Sequence, residues 1–403
     1  MSVEKKMLEK YDIVKQQPDF YDDVVNESIE VKSDNAVITT ASQVRLHYRD
    51  GNSLIDLSDS YLQFQYLETG ESIRLNHQGG AMSLWSRAVL RINNVIVESV
   101  DYANFVAMVK HNLIYSKDYL ATQGSNMGIK AVGTTRAEAV GTKEYFVPLH
   151  SVFGFCSINK IVSGEITLEL TRGNILQYGL RKTNNVPVAH DINVQKCSLW
   201  LNRVRPHPVV DNTVKSLMAS NVASEFVFPS YNAYYTGSLN SGQSQRILTS
   251  SERILHAFVV CLDETTDNDG GDANATARWT QGVLKSNNNI RQLTMRLNGT
   301  ASPTIAYTDL NTHGKSRAYG ALFRLLSGGD YMGGIGLSRA EYDNLAIVPF
   351  DFRGSPQNLS GSPSVLELEI NNADASERYL VVVQTEKSVE VNYSGSQAIV
   401  RVH

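Results

Sequence analysis

The side chains that could do chemistry in this chain are scattered. Nine histidines run from His47 to His403, with no His-x-His or His-x-x-x-His pair. A metal enzyme of the cupin kind needs His and Glu gathered on one ion, and that clustering is missing. Cys156, Cys197 and Cys261 are odd in number and not in metal spacing. They read as small core residues in a reduced compartment. There is no Gly-x-Ser-x-Gly nucleophile elbow. Gly328-Gly329 and Gly333-Gly334-Ile335-Gly336 lack the Lys-Ser/Thr of a phosphate loop and read as a flexible loop. The run Asp267-Asn268-Asp269-Gly270-Gly271-Asp272 offers hard oxygens that could hold Ca²⁺. An EF-hand would place Glu at the twelfth loop position, which here is Arg278. A solvated loop is the simpler reading, and cation binding there stays open. The expectation is a protein without catalytic residues, cofactor or metal, and not an enzyme.

The elements around these residues say more. With 403 residues the chain is too long for one compact core and suits two domains of ~200 residues. Hydrophobic content of 42% against 19% charge marks a globular chain. A net charge of −4 gives no reason to expect sequence-specific or general nucleic-acid binding. No run of ~20 apolar residues is present, and MSVEKKMLEKYDIV does not read as a signal peptide. The chain is therefore expected to act without secretion. The sequon Asn298-Gly299-Thr300 then reads as a turn.

One unit occurs twice. In Glu144–Arg172 an apolar strand closes at Pro148, a compact loop carries Phe153, Gly154 and Phe155, and Ile166, Leu168 and Leu170 alternate with polar residues. Leu345–Gly354 is again an apolar strand closed by Pro349, with Phe352 in the loop, and Ser364–Ile370 again alternates. The two prolines lie 201 residues apart. Upstream, Leu90-Arg91-Ile92-Asn93-Asn94 matches Met295-Arg296-Leu297-Asn298-Gly299, a strand entering a tight turn, at an offset of 205. Two landmarks in order at nearly one spacing indicate a duplicated β unit.

In chain order, residues 1–30 read as an arm. Met7, Leu8, Tyr11 and Val14 form one apolar stripe, and residues 1–32 carry five lysines against eight acids. The stripe is too small for a core of its own, so the arm either docks on a neighbouring subunit or frays, and it is expected to be dispensable for folding. Residues 31–205 read as mostly strands, with Val37–Thr40 among them, and one helix over 102–113 capped by Asp101 with Tyr102, Val106, Val109 and Leu113 on its stripe. Residues 121–143 read as a long excursion. Residues 206–222 form a linker: Arg205-Pro206-His207-Pro208 breaks the strand pattern, and a short helix over 209–220 follows. Residues 223–403 repeat the scheme, with a helix over 316–326 and closing strands 379–384 and 388–393. The fold class is all-β: two tandem jelly-roll β-sandwiches with short helices between strands.

Three blocks carry a specific likeness: Leu84-Trp85-Ser86-Arg87 with Leu90–Val97, the helix ending Asn112-Leu113-Ile114-Tyr115, and Phe146-Val147-Pro148-Leu149 with Phe153–Phe155 and Gly164–Arg172. On these the chain resembles the double jelly-roll major capsid proteins of the adenovirus and tectivirus lineage, most of all those of Polinton-type elements, adintoviruses and virophages. The resemblance implies two rolls side by side and normal to a shell. It also implies a homotrimer with a nearly hexagonal outline, neighbouring capsomers, penton and minor or cement proteins as partners, and a place in the virion. It does not reach the host, the lattice size or the presence of an internal membrane. Within it, Pro148, Phe153, Phe155, Pro349 and Phe352 are expected to hold the rolls, and Met7, Leu8 and Tyr11 to serve assembly. The rival from another class is a receptor- or carbohydrate-binding β-sandwich, a spike or lectin, whose only candidate aromatic platform is Asn232, Tyr234 and Tyr235.

Overall fold

The computed structural model describes residues 25–33, 38, 42–50, 53–68, 73–75, 79–129, 141–158, 161–173, 180–182, 192–205, 212, 216, 224–236, 239–249, 252–262, 284–285, 290–310, 314–326, 338–339, 342, 347–358, 361, 363–372, 378–394 and 397–402. Met7, Leu8, Tyr11, the Asp267–Asp272 run, the Gly328–Gly336 stretch and most of the expected linker fall outside them.

The first half contains β1 (Val25–Lys32), β2 (Gln43–Tyr48), β3 (Leu54–Glu68), β4 (Ile73–Leu75), β5 (Trp85–Ile92), β6 (Val95–Asp101), β7 (Gly141–Pro148), β8 (Ile161–Ser163), β9 (Ile166–Arg172), β10 (Leu180–Lys182) and β11 (Ile192–Arg205). One sheet runs β1-β11-β3-β7, with β8 also on β3, and a second runs β2-β9-β5-β6. The short strands β4 and β10 pair with each other. Alternating residues of both sheets meet in one core. Leu62, Phe64 and Tyr66 come from the first sheet and Leu46, Leu90, Leu168 and Leu170 from the second, all fully buried. Phe64 stacks on Trp85, and the Trp85 Nε1 donates to the Tyr66 hydroxyl at 2.9 Å.

The second half contains β12 (Ser224–Tyr235), β13 (Gln243–Leu248), β14 (Arg253–Leu262), β15 (Leu284–Lys285), β16 (Ile290–Leu297), β17 (Thr300–Ala301), β18 (Tyr307–Thr308), β19 (Val348–Asp351), β20 (Val365–Asn372), β21 (Arg378–Ser394) and β22 (Gln397–Val402). Its sheets run β12-β21-β14-β15 and β13-β20-β16-β17. The two halves share a scheme: the first strand pairs a late one, which pairs the third, while the second sheet is built from the strands between; the β4–β10 pair, β15 and β22 are additions to it.

Single residues repeat as well. Asn93 and Asn298 both lie at positive φ in two-residue turns, the conformation that suits the twist of a hairpin. Asn93 Oδ1 accepts from the Glu165 N–H at 2.8 Å, and Asn298 Oδ1 from the Val365 N–H at 2.9 Å. Each asparagine N–H donates back to the same residue's carbonyl. Two residues before each asparagine, Arg91 pairs with Glu169 and Arg296 with Glu369 across adjacent strands.

Among the described residues, four α-helices with full bounds interrupt the strands: α1 (Ala103–Ile114), α2 (Lys117–Asn126), α3 (Leu149–Val152) and α4 (Gly314–Leu326). Several expectations need correction. Asp101 is the last residue of β6, paired with Arg87, and does not cap α1, whose first turn leaves a left-handed Tyr102. Nor does α1 carry a stripe: every residue from Ala103 to Leu113 is buried, as befits a helix enclosed on all sides. The excursion expected over 121–143 contains most of α2, capped by the Ser116 hydroxyl accepting from the Tyr119 N–H. Helix propensity was masked there by Gly and Thr. The closing strands 379–384 and 388–393 are one continuous β21. The first sheet begins at Val25, inside the stretch expected as arm. Of 37–40, only Ile38 is described, in a single bridge to Val194. Of 209–220, only residues 212 and 216 are described, both helical.

Candidate functional site at the junction of the two rolls

The duplicated prolines occupy corresponding places but do not both end a strand. Pro148 is the last residue of β7, opposite Tyr61 of β3. Pro349, expected to close its strand, instead lies inside β19 opposite Phe258 of β14, and Phe350 and Asp351 continue the pairing because β19 pairs with β14 alone and Pro349 can sit on its unpaired edge. After Pro349, Phe352 is fully buried and its N–H donates to the Leu255 carbonyl at 3.0 Å. After Pro148 come α3 and then Phe153, also fully buried.

Phe155 points elsewhere. It packs edge-on against Phe228 (centroids 5.3 Å apart) and Phe226 (6.1 Å), both on β12 of the second roll. Edge-to-face rings add roughly 0.5–1.5 kcal/mol beyond their burial. The loop expected to fix strand β9 is therefore also where one roll meets the other. Gly154 lies in the same contact. A Cβ there would stand 1.6 Å from the Pro229 carbonyl oxygen, so only glycine lets the two backbones meet.

A buried carboxylate holds this contact. Glu98 of β6 is fully buried. Its Oε1 accepts from the Gly154 N–H at 3.1 Å and the Ser230 hydroxyl at 2.7 Å, and its Oε2 from the Phe155 N–H at 2.9 Å. One side chain of the first roll thus ties its own turn to a strand of the second. Burial raises the Glu98 pKa, while those donors and the charge of Lys110 pull it back. Lys110 of α1 is buried too. Its Nζ donates to the His150 carbonyl at 3.0 Å and lies 5.3 Å from the centre of the Tyr231 ring. Burial pushes its pKa down to about 8 against the pull of Glu98. Next to it the Asp101 N–H donates to Asn232 Oδ1 at 3.3 Å. Buried polar groups satisfied in this way specify one arrangement, since separating the rolls would strand them.

The sequence reading named Phe155 and did not name Glu98 or Lys110. A signal existed: Glu98 is the one acid within Val95–Val100, and Lys110 the one lysine of α1. Asn232, Tyr234 and Tyr235, the candidate sugar platform, belong to β12, and Asn232 is engaged in the junction. The arrangement sets the position of one sandwich against the other.

No family model matches the chain, and no curated protein is similar to it in sequence. Solved structures are similar over nearly its whole length. The PBCV-1 VP54 protein, in a crystal structure fitted into a reconstruction of the virophage Sputnik, superposes with a TM-score of 0.62 at 14% identity, covering 96% of this chain and 98% of that one. A Sputnik virophage chain solved by cryo-EM gives 0.57 at 10% identity, covering 96% and 90%. The Faustovirus major capsid protein gives 0.57 at 9% identity, covering 93% and 92%. The fold is that of the double jelly-roll capsid proteins. In this double jelly roll the junction through Glu98 and Phe155 is what makes two sandwiches one body.

Proposed function

We propose that this chain is a major capsid protein, built as a homotrimer whose three double jelly rolls form one pseudo-hexameric capsomer of an icosahedral shell. The observation that carries the reading is whole-length similarity to capsid proteins, joined to a duplicated roll locked through a buried network. Two like rolls held at a fixed spacing let three chains present six similar edges to their neighbours. On this reading its partners are further copies of itself, with penton and minor or cement proteins beside them, and its place is the virion. The duplication and the junction serve geometry and need no cofactor. Negative-stain imaging of the purified protein tests the proposal. Hexagonal particles of three chains, or closed shells, are expected. A monomer at high concentration, in native mass measurement as in images, would overturn it.

A further inference from the structure

In the first roll, β6, α1 and the turn around Gly154 make a seat, and β12 of the same chain fills it: Phe226 and Phe228 lie against Phe155, and Ser230 on Glu98. The two buried charges there, Glu98 and Lys110, are opposite in sign and offset one another. The second roll has corresponding parts: β17 and β18, α4, and the turn after β19. Between them lies a cavity of about 330 Å³. Among the described residues nothing fills it.

Three guanidinium groups and one carboxylate border this cavity: Arg317 and Arg324 from α4, and Arg353 and Asp351 from the end of β19 and its turn. Arg353 and Asp351 hold each other. The Arg353 guanidinium donates to the two Asp351 oxygens at 3.0 and 2.8 Å, and its backbone N–H to Oδ1 at 3.1 Å. Arg317 is fixed in place: it lies 5.0 Å from the centre of the Tyr307 ring and donates to the Ala306 and Ile305 carbonyls at 2.7 and 2.9 Å. Arg324 Nε reaches the Gly320 carbonyl of its own helix at 3.3 Å, and its terminal nitrogens have no partner among the described residues. Burial raises the Tyr307 pKa while the charges of Arg317 and Arg324 lower it, so both guanidinium groups stand near that one hydroxyl.

Arginines on the sheets are matched by acids across the strand, Arg91 by Glu169, Arg203 by Glu27 and Arg296 by Glu369. Arg317 and Arg324 are not: among the described residues the one acid at the cavity is Asp351, and Arg353 takes it. Two like charges held at one cavity repel each other and raise its potential, and an anion relieves both. Arginine forks pair best with the oxygens of carboxylates and phosphates. The space exceeds a bare ion: about 330 Å³ is room for a small organic molecule, and Pro303, Ala321, Leu325 and Pro349 give it apolar walls. We propose that this cavity binds a small organic phosphate, its phosphate between Arg317 and Arg324 and its body against Pro303, Leu325 and Pro349. A phosphate monoester carries close to two negative charges near pH 7 and so matches two uncompensated cations, which one carboxylate would only half meet. The Tyr307 hydroxyl is a further donor at the same wall. One roll closes this place with its own chain, and the other leaves it to a ligand.

The test uses the purified full chain, in the assembly it forms, and calorimetric titration at fixed ionic strength with phenyl phosphate, inorganic phosphate and phenol. Phenyl phosphate should bind once per chain. Inorganic phosphate should bind at least roughly tenfold more weakly, because it leaves the apolar walls bare, and phenol should not bind. Arg324→Gln, an exposed change, should weaken phenyl phosphate at least roughly tenfold. Ala321→Glu adds a carboxylate to the wall and should abolish binding. Arg246→Gln removes an exposed cation of β13, away from the cavity, and should change nothing. Melting curves show which variants are folded, and only those are compared. Equal affinity in Arg324→Gln and Arg246→Gln would overturn the assignment. So would phenol binding as tightly as its phosphate, or neither heat nor phosphorus line broadening from phenyl phosphate at millimolar concentration. Trimers that form normally while refusing phenyl phosphate would remove this site and leave the capsomer standing.

Discussion

At the scale of single residues, the junction rests on a few side chains whose loss has separate consequences. Phe155→Ala leaves a cavity against Phe226 and Phe228 and should cost about 3–5 kcal/mol in urea unfolding. Protease should also cut the 206–222 stretch sooner, because the rolls part more often. Unchanged unfolding would mean that the ring carries no packing. Gly154→Ala drives a methyl into the Pro229 carbonyl, and no rotamer relieves a backbone clash. It should damage the junction as badly as the phenylalanine change despite adding only one carbon. Glu98→Gln keeps the shape but turns an amide N–H₂ toward a donor that the carboxylate accepted. Its cost should be about 1–3 kcal/mol. Glu98→Ala should cost more, since all three donors lose their acceptor.

At the scale of elements, α1 shows how burial changes chemistry. A helix enclosed on every side holds one lysine, and its folded pKa of about 8 lies below the ordinary value of 10.5. The folded state therefore binds this proton less readily than the unfolded one. The contribution from Lys110 is fully present above pH 10.5 and is lost as pH falls through about 8. Its full size is about 3 kcal/mol, from a shift of that width. Unfolding free energy should thus climb more steeply between pH 8 and 10.5 in the natural protein than in Lys110→Met. Parallel slopes would show that Lys110 is not buried as described. Glu98 runs the other way: its raised pKa contributes stability below the ordinary carboxylate range, lost as pH rises through the raised value.

At the scale of the whole molecule, the two rolls are held at one spacing by β12 seated on β6 and α1. The apolar stripe of Met7, Leu8, Tyr11 and Val14 lies well ahead of β1. Deleting residues 1–15 should leave folding and trimers intact and lower the yield of closed shells, as read by sedimentation. Trimers lost on that deletion would place the stripe inside the capsomer.

Much of this was legible in the sequence, for a local reason. Asn93-Asn94 and Asn298-Gly299 announce hairpins because few residues accept a positive φ. Pro148 ends β7 because proline lacks a ladder donor. Alternation along Ile166–Leu170 and Leu366–Ile370 marks one buried face. These constraints act within a few residues, so strands, turns and the duplication itself can be read along the chain. The junction could not be read that way. Glu98 meets its partners Phe155 and Ser230 at separations of 57 and 132 residues, and nothing in its neighbours distinguishes it from a solvated acid. Whether α1 would be striped or enclosed depended on β12 lying across it. Only folding brought those surfaces together, because a seat and its filler become complementary in space and not in sequence.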